Sequence, residues 1–542
     1  MIRRAAEPDL VLIGATLLDA SRAPARPGPG GRRSSGAEAV WIRGDRIVAV
    51  GAAGAIRAKA GRAARRIDLG GGTLTPGFTD AHIHLVTWNR ALGEPSLEDQ
   101  TPEAIERAVG ARLETAPRED WLLLRGWVPR EWPGERRDRA LLDRIASDRP
   151  LVLHAVDGHS VWANRVALER AGIDRHTPDP RGGIVERSAS GELTGALIEE
   201  ALRLLTSRIV RTAPVRDELT QAVARARSLG ITSAHDFDRS ATWRAAAELA
   251  REGRLDFRLL LSVPVAALGA AEDLGLATGM GGDRLRVGAV KMFADGTLGS
   301  STALLEEPYE GTANRGIEVL SADDMASACA RAAQAGLGVA IHAIGDAAVR
   351  NALDAIERTL RAGALFPLPP RIEHIQLSRV EDWPRFRKLG VLASVQPVHL
   401  LTDRAIAPRL WGSRTPRSYA WKSLAAAGAR LVFGSDAPFD RAGPLRAIQA
   451  AVLRRDGADS EDRVFHQEQR IPLGRALRAH LEDPHLAAGW TLPLGKLEAG
   501  YGADVVHFDH DLARTPLEEW HRARVRSVWI GGRRIAGASG RS

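Results

Sequence analysis

Residues 286–300 read RVGAVKMFADGTLGS, a short apolar run that ends on a lysine and passes into a polar, glycine-containing turn. The run VGAVKMF (287–293) reads as a β-strand, and seven others along the chain share its style. They are FTDAHIH (78–84), ITSAHDF (231–237), FRLLLSV (257–263), GVAIHAI (338–344), RIEHIQL (371–377), VLASVQP (391–397) and RLVFGSD (430–436). Amphipathic helical segments separate many of them, and this alternation predicts parallel βα units. One such segment, SADDMASACARAAQAGLG (321–338), opens with Ser321 three residues before Asp324, like a capping box, and closes at Gly336. Eight such strands with crossover helices predict an α/β fold, a (β/α)8 TIM-type barrel.

The spacing of the runs is uneven. Residues 88–229, between the first and second strands, far exceed one connection and predict an inserted α+β subdomain that carries WLLLRGWVPREW (121–132) and PLVLHAVDGHSVWANRVAL (150–168). At the N-terminal end, DLVLIGATLLDA (9–20) and AVWIRGDRIVAVG (39–51) flank an Arg/Gly/Pro/Ser loop at 21–36 and read as short strands with turns. ADVVHFDHDL (503–512) and RVRSVWIGGRRIAG (524–537) repeat that style at the other end. The expected organisation is therefore a small β-sandwich built from both termini (1–75 and 490–542) around a barrel domain at 76–489.

The chain has 542 residues, 44% of them hydrophobic and 26% charged, which is the composition of a globular protein with a substantial core. The net charge of +8 is spread along the chain without a basic block, so a solvated surface is expected rather than a nucleic-acid partner. The one cysteine, Cys329, excludes an intrachain disulfide and a Cys-rich metal site. Four residues after Met325 on the same helical face, it reads as core. No run of 18 apolar residues predicts a membrane span. The N-terminal apolar stretch lacks a cleavage site and reads as a strand, so a cytoplasmic location is expected. A homo-oligomer is compatible with the sequence.

Lysine occurs at only five positions, 59, 291, 388, 422 and 496, and the rest of the 75 basic residues are Arg. Lys291 stands at the end of an apolar run, where a free ammonium is costly to bury. The other polar residues of the eight runs collect at their C-terminal ends, where barrel enzymes place their active sites. His82 and His84 are two apart on the first strand and so share a face. His342, His374 and Asp436 end the fifth, sixth and eighth strands. Imidazole and carboxylate suit Zn²⁺ and similar divalent ions. A neutral lysine amine can add CO₂ to give a carbamate, an anionic bidentate oxygen donor able to bridge two ions, which the far more basic Arg cannot readily do. Singly, each residue has an ordinary structural reading: a hydrogen-bonded core histidine, a salt-bridged lysine, or an aspartate capping the helix that follows Pro438. Together they predict a divalent metal site, zinc being expected, with one or two ions.

In these residues and their order, the chain resembles the amidohydrolase superfamily of metal-dependent barrel hydrolases, and within it the amidohydrolase family 3 branch that includes N-substituted formamide deformylases. The matching segments are LTPGFTDAHIHL, GWVPREW, DGHSVWANRVAL, GITSAHDF, VKMFADGTLGSSTALLEEPY, HAIGD, EHIQ, ASVQPVHL, GSDAP and LGKLEAGYGADVV, spread over nearly the whole length. The resemblance implies a barrel beside a β-sandwich of both termini. It also implies metal ligation by His82, His84, His342, His374 and Asp436, with Lys291 as an N6-carboxylated bridge. Two segments depart from the family pattern. VTWNRALGEPSLEDQTP (86–102) lacks a glycine-rich run, and LRAHLEDPHLAAGW (477–490) stands where a Thr-containing stretch is usual.

The activity this implies is hydrolysis of a non-peptide C–N bond, an amide or an N-formyl or N-acyl amine, in a small-molecule substrate by a metal-activated hydroxide. Asp436 is the candidate catalytic residue, taking the proton and passing it to the leaving amine. Candidate substrate contacts are His399, Arg417 and Tyr419 after the seventh strand, with Trp127, Asp157 and His159 of the insert as a lid. A packed tryptophan or a turn-forming Asp-Gly reads those insert residues equally well. His235 and Asp295 are candidates for orienting the ligands from behind. No G-x-S-x-G or G-x-x-x-x-G-K-[ST] motif offers a serine hydrolase or nucleotide site. Two alternatives stay open: the same site acting on an ester, lactone or phosphoester, and a non-catalytic barrel serving as scaffold or regulator.

Overall fold

The computed structural model describes residues 9–28, 38–97, 99–115, 121–132, 138–211, 213–238, 240–457, 459 and 463–535. Its central sheet has eight strands: Phe78–Ile83, Ile231–Asp236, Arg258–Pro264, Leu285–Phe293, Val339–Ala343, Arg371–His374, Leu392–Val395 and Arg430–Phe433. They lie side by side in chain order, and every neighbouring pair is parallel. Most of their residues are buried on both faces, the condition of a parallel sheet wrapped by helices. The eighth strand returns to the first. The Asp436 amide donates to the His82 carbonyl at 2.7 Å and the Ser435 amide to Asp80 Oδ1 at 2.9 Å. At Gly434 a Cβ would lie 2.4 Å from the His82 nitrogen, so glycine is required where the two strands close on one another. The result is a nearly closed TIM-type barrel, as the eight runs predict.

The helix Ala322–Gln334 shows why the connections fold locally. Ser321 caps it, its hydroxyl accepting from the Asp324 amide at 3.2 Å, and Gly336 turns the chain away at a φ of 72°. Its inner face, with Met325 and Cys329, joins the main core around the barrel.

Between the first and second barrel strands stands a separate five-stranded sheet, ordered Gly183–Arg187, Leu193–Glu199, Ser160–Ala163, Leu151–Ala155, Leu122–Trp127. It has its own cores, one of them built on Trp127, Trp132 and Trp162. The two chain ends meet in two further sheets. One contains Leu10–Ile13, Glu38–Arg43, Arg46–Ala52 and Arg65–Asp68, and the other joins Thr16–Leu17 and Thr73–Pro76 to Val505–Phe508, Val525–Ile530 and Arg533–Arg534. Leu12, Val40 and Ile42 of the first pack with Leu74, Val505 and Trp529 of the second. Of the loop at 21–36, residues 29–36 lie outside the described residues. No helix among the described residues is long and apolar enough to cross a membrane.

Sheet and barrel are tied by a buried ion pair, Arg258 Nε–Asp504 Oδ2 at 2.5 Å and Arg258 Nη2–Asp504 Oδ1 at 3.0 Å. Removing one partner of such a pair leaves an uncompensated buried charge, a loss of about 3–5 kcal/mol. Arg258→Met is accordingly expected to lower unfolding stability by that amount in urea titration. A change below 1 kcal/mol would show that the pair does not hold the sandwich to the barrel.

Candidate metal centre

His82, His84, Lys291, His342, His374 and Asp436 lie at or near the C-terminal ends of five barrel strands, with His399 just beyond a sixth. His82 Nε2 and His84 Nε2 lie 3.4 and 3.3 Å from the same oxygen, Asp436 Oδ1. The other oxygen, Oδ2, lies 3.7 Å from His399 Nε2. Two three-residue groups result, His82–His84–Asp436 and His374–His399–Asp436, each with its ligand atoms within 4.8 Å of one another. Asp436 belongs to both. Burial pushes its carboxyl up, but His82, His84 and His399 overcome this and hold it well below the usual carboxylate range.

Lys291 lies two residues before the end of the fourth strand, its Nζ buried and without a hydrogen-bond partner. It lies 4.6 Å from the ring centre of Phe237 and 4.8 Å from that of Phe293. Burial lowers this lysine to about 8, with Glu373 and Asp436 opposing. His374 Nδ1 and Asp436 Oδ1 are likewise buried and without a hydrogen-bond partner. A buried polar atom left so is costly; a cation would satisfy a lone pair on His374 Nδ1 and the Asp436 oxygen, which belong to one three-residue group, whereas a lysine ammonium only donates. Nitrogen and carboxylate donors of this kind fit a divalent metal ion. The backbone is strained at two of the six residues: φ is +75° at His374 and +57° at Asp436. Non-glycine residues held there cost about 1–3 kcal/mol each and gather at functional sites.

His342 stands somewhat apart. Its Nε2 donates to the Gly296 carbonyl at 3.0 Å and lies 3.5 Å from Asp295 Oδ1, so it enters neither three-residue group. Its ring centre is nevertheless 4.4 Å from that of His374. Asp295 lies beside it and accepts from the amides of Leu304 at 2.9 Å and Gly345 at 2.8 Å. Burial lifts the Asp295 carboxyl to about 7 against these bonds.

The residues expected to touch substrate divide. His399, a candidate substrate contact, sits in one of the groups that could hold a metal ion, with its ring stacked 5.9 Å from His374. The insert reaches the mouth through Asp157 and His159. Asp157 accepts from Thr297 Oγ1 at 2.8 Å and Ser300 Oγ at 2.5 Å, on the loop after the fourth strand. His159 Nδ1 lies 2.7 Å from Glu199 Oε2, and its ring centre is 5.3 Å from that of His342. Burial works against its charge, yet Glu199 raises it to about 9.

Trp127 corrects the sequence reading. It is fully buried in the core of the insert, 5.8 Å from Trp162, so packing and not lid contact accounts for its ring. Tyr419 is also buried, its hydroxyl donating to Asp403 Oδ2 at 2.5 Å. Arg417 Nη2 lies 3.6 Å from Asp346. His235 is one step further from the ligands than expected, because its Nδ1 meets Arg371 at 2.7 Å.

Glu373 stands outside the residues the sequence singles out, yet its Oε2 lies 2.7 Å from His82 Nδ1. Its position beside His374 in EHIQ was the only available signal, since the partner lies on a strand 291 residues away.

A sequence model described as the amidohydrolase family matches residues 65–536. The putative amidohydrolase YtcJ of Bacillus subtilis (strain 168) is 30% identical over 514 residues, covering 91% of this chain and 95% of that protein. The N-substituted formamide deformylase of Arthrobacter pascens is 27% identical over 529 residues, covering 92% of this chain and 95% of that protein. Among solved structures, an uncharacterized metal-dependent hydrolase from Pyrococcus horikoshii OT3 superposes with a TM-score of 0.73 at 28% identity, covering 94% of this chain and 99% of that one.

Sharing of Asp436 gives a graded expectation for metal content. Asp436→Ala should reduce bound metal more than either His84→Ala or His399→Ala, each of which touches one group. Elemental analysis of chelator-free preparations measures this, and equal losses in all three would contradict a shared carboxylate.

Proposed function

The chain belongs to the amidohydrolase family, and on that premise we propose that this metal-dependent hydrolase cleaves a non-peptide C–N bond, an amide or an N-formyl or N-acyl amine, in a small-molecule substrate. The observation that carries the reading is the convergence of four imidazoles on the two oxygens of one buried carboxylate, in the two groups that share Asp436. The choice of C–N bond is supported by likeness to an N-substituted formamide deformylase over 92% of the chain.

His82, His84, His374, His399 and Asp436 would hold the ion or ions, zinc being our proposal, with His342 and Lys291 beside them. When bound, a divalent ion supplies Lewis acidity and brings the pKa of a coordinated water to about 7. Asp436, ionised and in reach of both groups, takes the proton of the attacking water and returns it to the leaving nitrogen. The water oxygen bonds to the carbonyl carbon as the C–N bond breaks, so an acid and an amine leave. His159, fixed by Glu199, lines the insert side of the site next to His342. Asp157 fastens that loop to the barrel.

Lys291 is proposed to carry a carbamate. Its Nζ bonds to the carbon of CO₂ and one proton is released, giving an anionic oxygen pair. Support comes from an amine that is buried and without a hydrogen-bond partner, with the Phe237 and Phe293 rings against it.

Two measurements test these readings. In a panel of N-formyl amines, N-acyl amines and matched esters, lactones and phosphoesters, amine release from the first two classes should dominate. Turnover confined to the oxygen esters would overturn the C–N assignment. Metal loading of chelator-stripped wild type should rise when bicarbonate is added, whereas Lys291→Ala should load less and ignore bicarbonate. Equal, bicarbonate-insensitive loading of both would remove the carbamate.

A further inference from the structure

At the start of the sixth barrel strand, Arg371 is buried, and its Nε, Nη1 and Nη2 all make hydrogen bonds. Nε donates to Glu373 Oε1 at 2.5 Å and Nη2 to Glu373 Oε2 at 3.1 Å. Nη2 also meets Ser394 Oγ at 2.8 Å and the Ala81 carbonyl at 2.5 Å, while Nη1 lies 2.7 Å from His235 Nδ1. Arg371 and Glu373 are two apart on one strand and therefore share a face. The contacts reach strands one, two and seven from strand six.

Two protonation patterns follow from chemistry alone. A guanidinium only donates, so His235 Nδ1 accepts and carries no proton. The Glu373 carboxylate, gripped by the arginine fork, only accepts, so the nitrogen 2.7 Å from its Oε2, His82 Nδ1, is the one that donates. The lone pair of His82 is then on Nε2, the atom directed at Asp436 3.4 Å away. Among the described residues, the Glu373 carboxylate accepts from Arg371 and His82, so the arginine fork sets the plane in which it meets the imidazole.

We propose that Arg371 is a positioning residue for the metal centre: acting through Glu373, it keeps His82 as the Nδ1–H tautomer and presents Nε2 to the metal position. This rests on the metal-centre reading given above. Partners that orient a ligating histidine typically carry 10- to 100-fold of metal affinity. Arg371 also ties strands together through Ser394 and Ala81, so loss of stability alone would not distinguish positioning from scaffolding.

The test measures Zn²⁺ affinity by competition with a chromophoric chelator, alongside thermal unfolding of the metal-free protein. It compares wild type with Arg371→Met, Arg371→Lys, Glu373→Gln and the Arg371→Met/Glu373→Gln double variant. The expected result is a loss of about 10- to 100-fold for Glu373→Gln and a similar loss for Arg371→Met. The double variant should lose no more than the larger single loss, because both changes interrupt one route. Arg371→Lys, which keeps the charge without the fork, should fall between wild type and Arg371→Met. Wild-type affinity in a folded Arg371→Met protein would overturn the proposal, as would losses that multiply in the double variant. Should Arg371→Met fail to fold, Arg371→Lys decides: weakened affinity supports the proposal and unchanged affinity overturns it. Absence of Zn²⁺ binding by wild type would overturn the metal centre itself, an outcome distinct from intact affinity in the variants.

Discussion

The structure depends on what happens where the barrel closes. The backbone amide of Asp436 donates to the carbonyl of His82, so the contact that brings the eighth strand back to the first also sets the carboxylate beside the histidines of that strand. Gly434 permits the approach because any Cβ would strike His82. A slip in closure would move Asp436 away from His82 and His84 together. Fold and site are therefore coupled through one residue, and the left-handed backbone at Asp436 is stabilised by the contacts around it.

The barrel was legible because its strands are short, apolar runs buried on both faces, and local sequence carries that pattern without knowledge of partners. His82, His84, His374 and Asp436 were legible for a related reason. A strand end in a parallel barrel faces the common mouth, so a polar residue there is placed by topology alone. The insert announced itself only as excess length between two strands. Its five-stranded order depends on pairings within the insert, and its docking on Thr297 and Ser300 on contacts between segments about 140 residues apart.

What the sequence concealed was pairing. His399 follows the seventh strand and shares no periodicity with His374, yet their rings stack at an interplanar angle of 9°. Trp127 carries the type of residue that lines pockets, but the insert needed a core of its own and placed the ring there. Glu373 and Arg371 alternate along a strand like any buried polar pair. Their meaning appears only when His82 is seen on the far side of the carboxylate.

Two buried cations explain one oddity of composition. Where the barrel needs a fixed charge that only donates, it uses Arg371, whose planar fork meets Glu373, Ser394, Ala81 and His235 together. No other side chain offers that many donors in a rigid plane. Where the mouth keeps a nitrogen without a hydrogen-bond partner, it uses Lys291, held among aromatic faces and lowered to about 8 by burial. A guanidinium in that place would stay charged, adding a permanent cation to a cluster of imidazoles arranged to receive one. In a chain that otherwise writes arginine almost everywhere, position 291 holds a basic group that burial brings toward losing its proton.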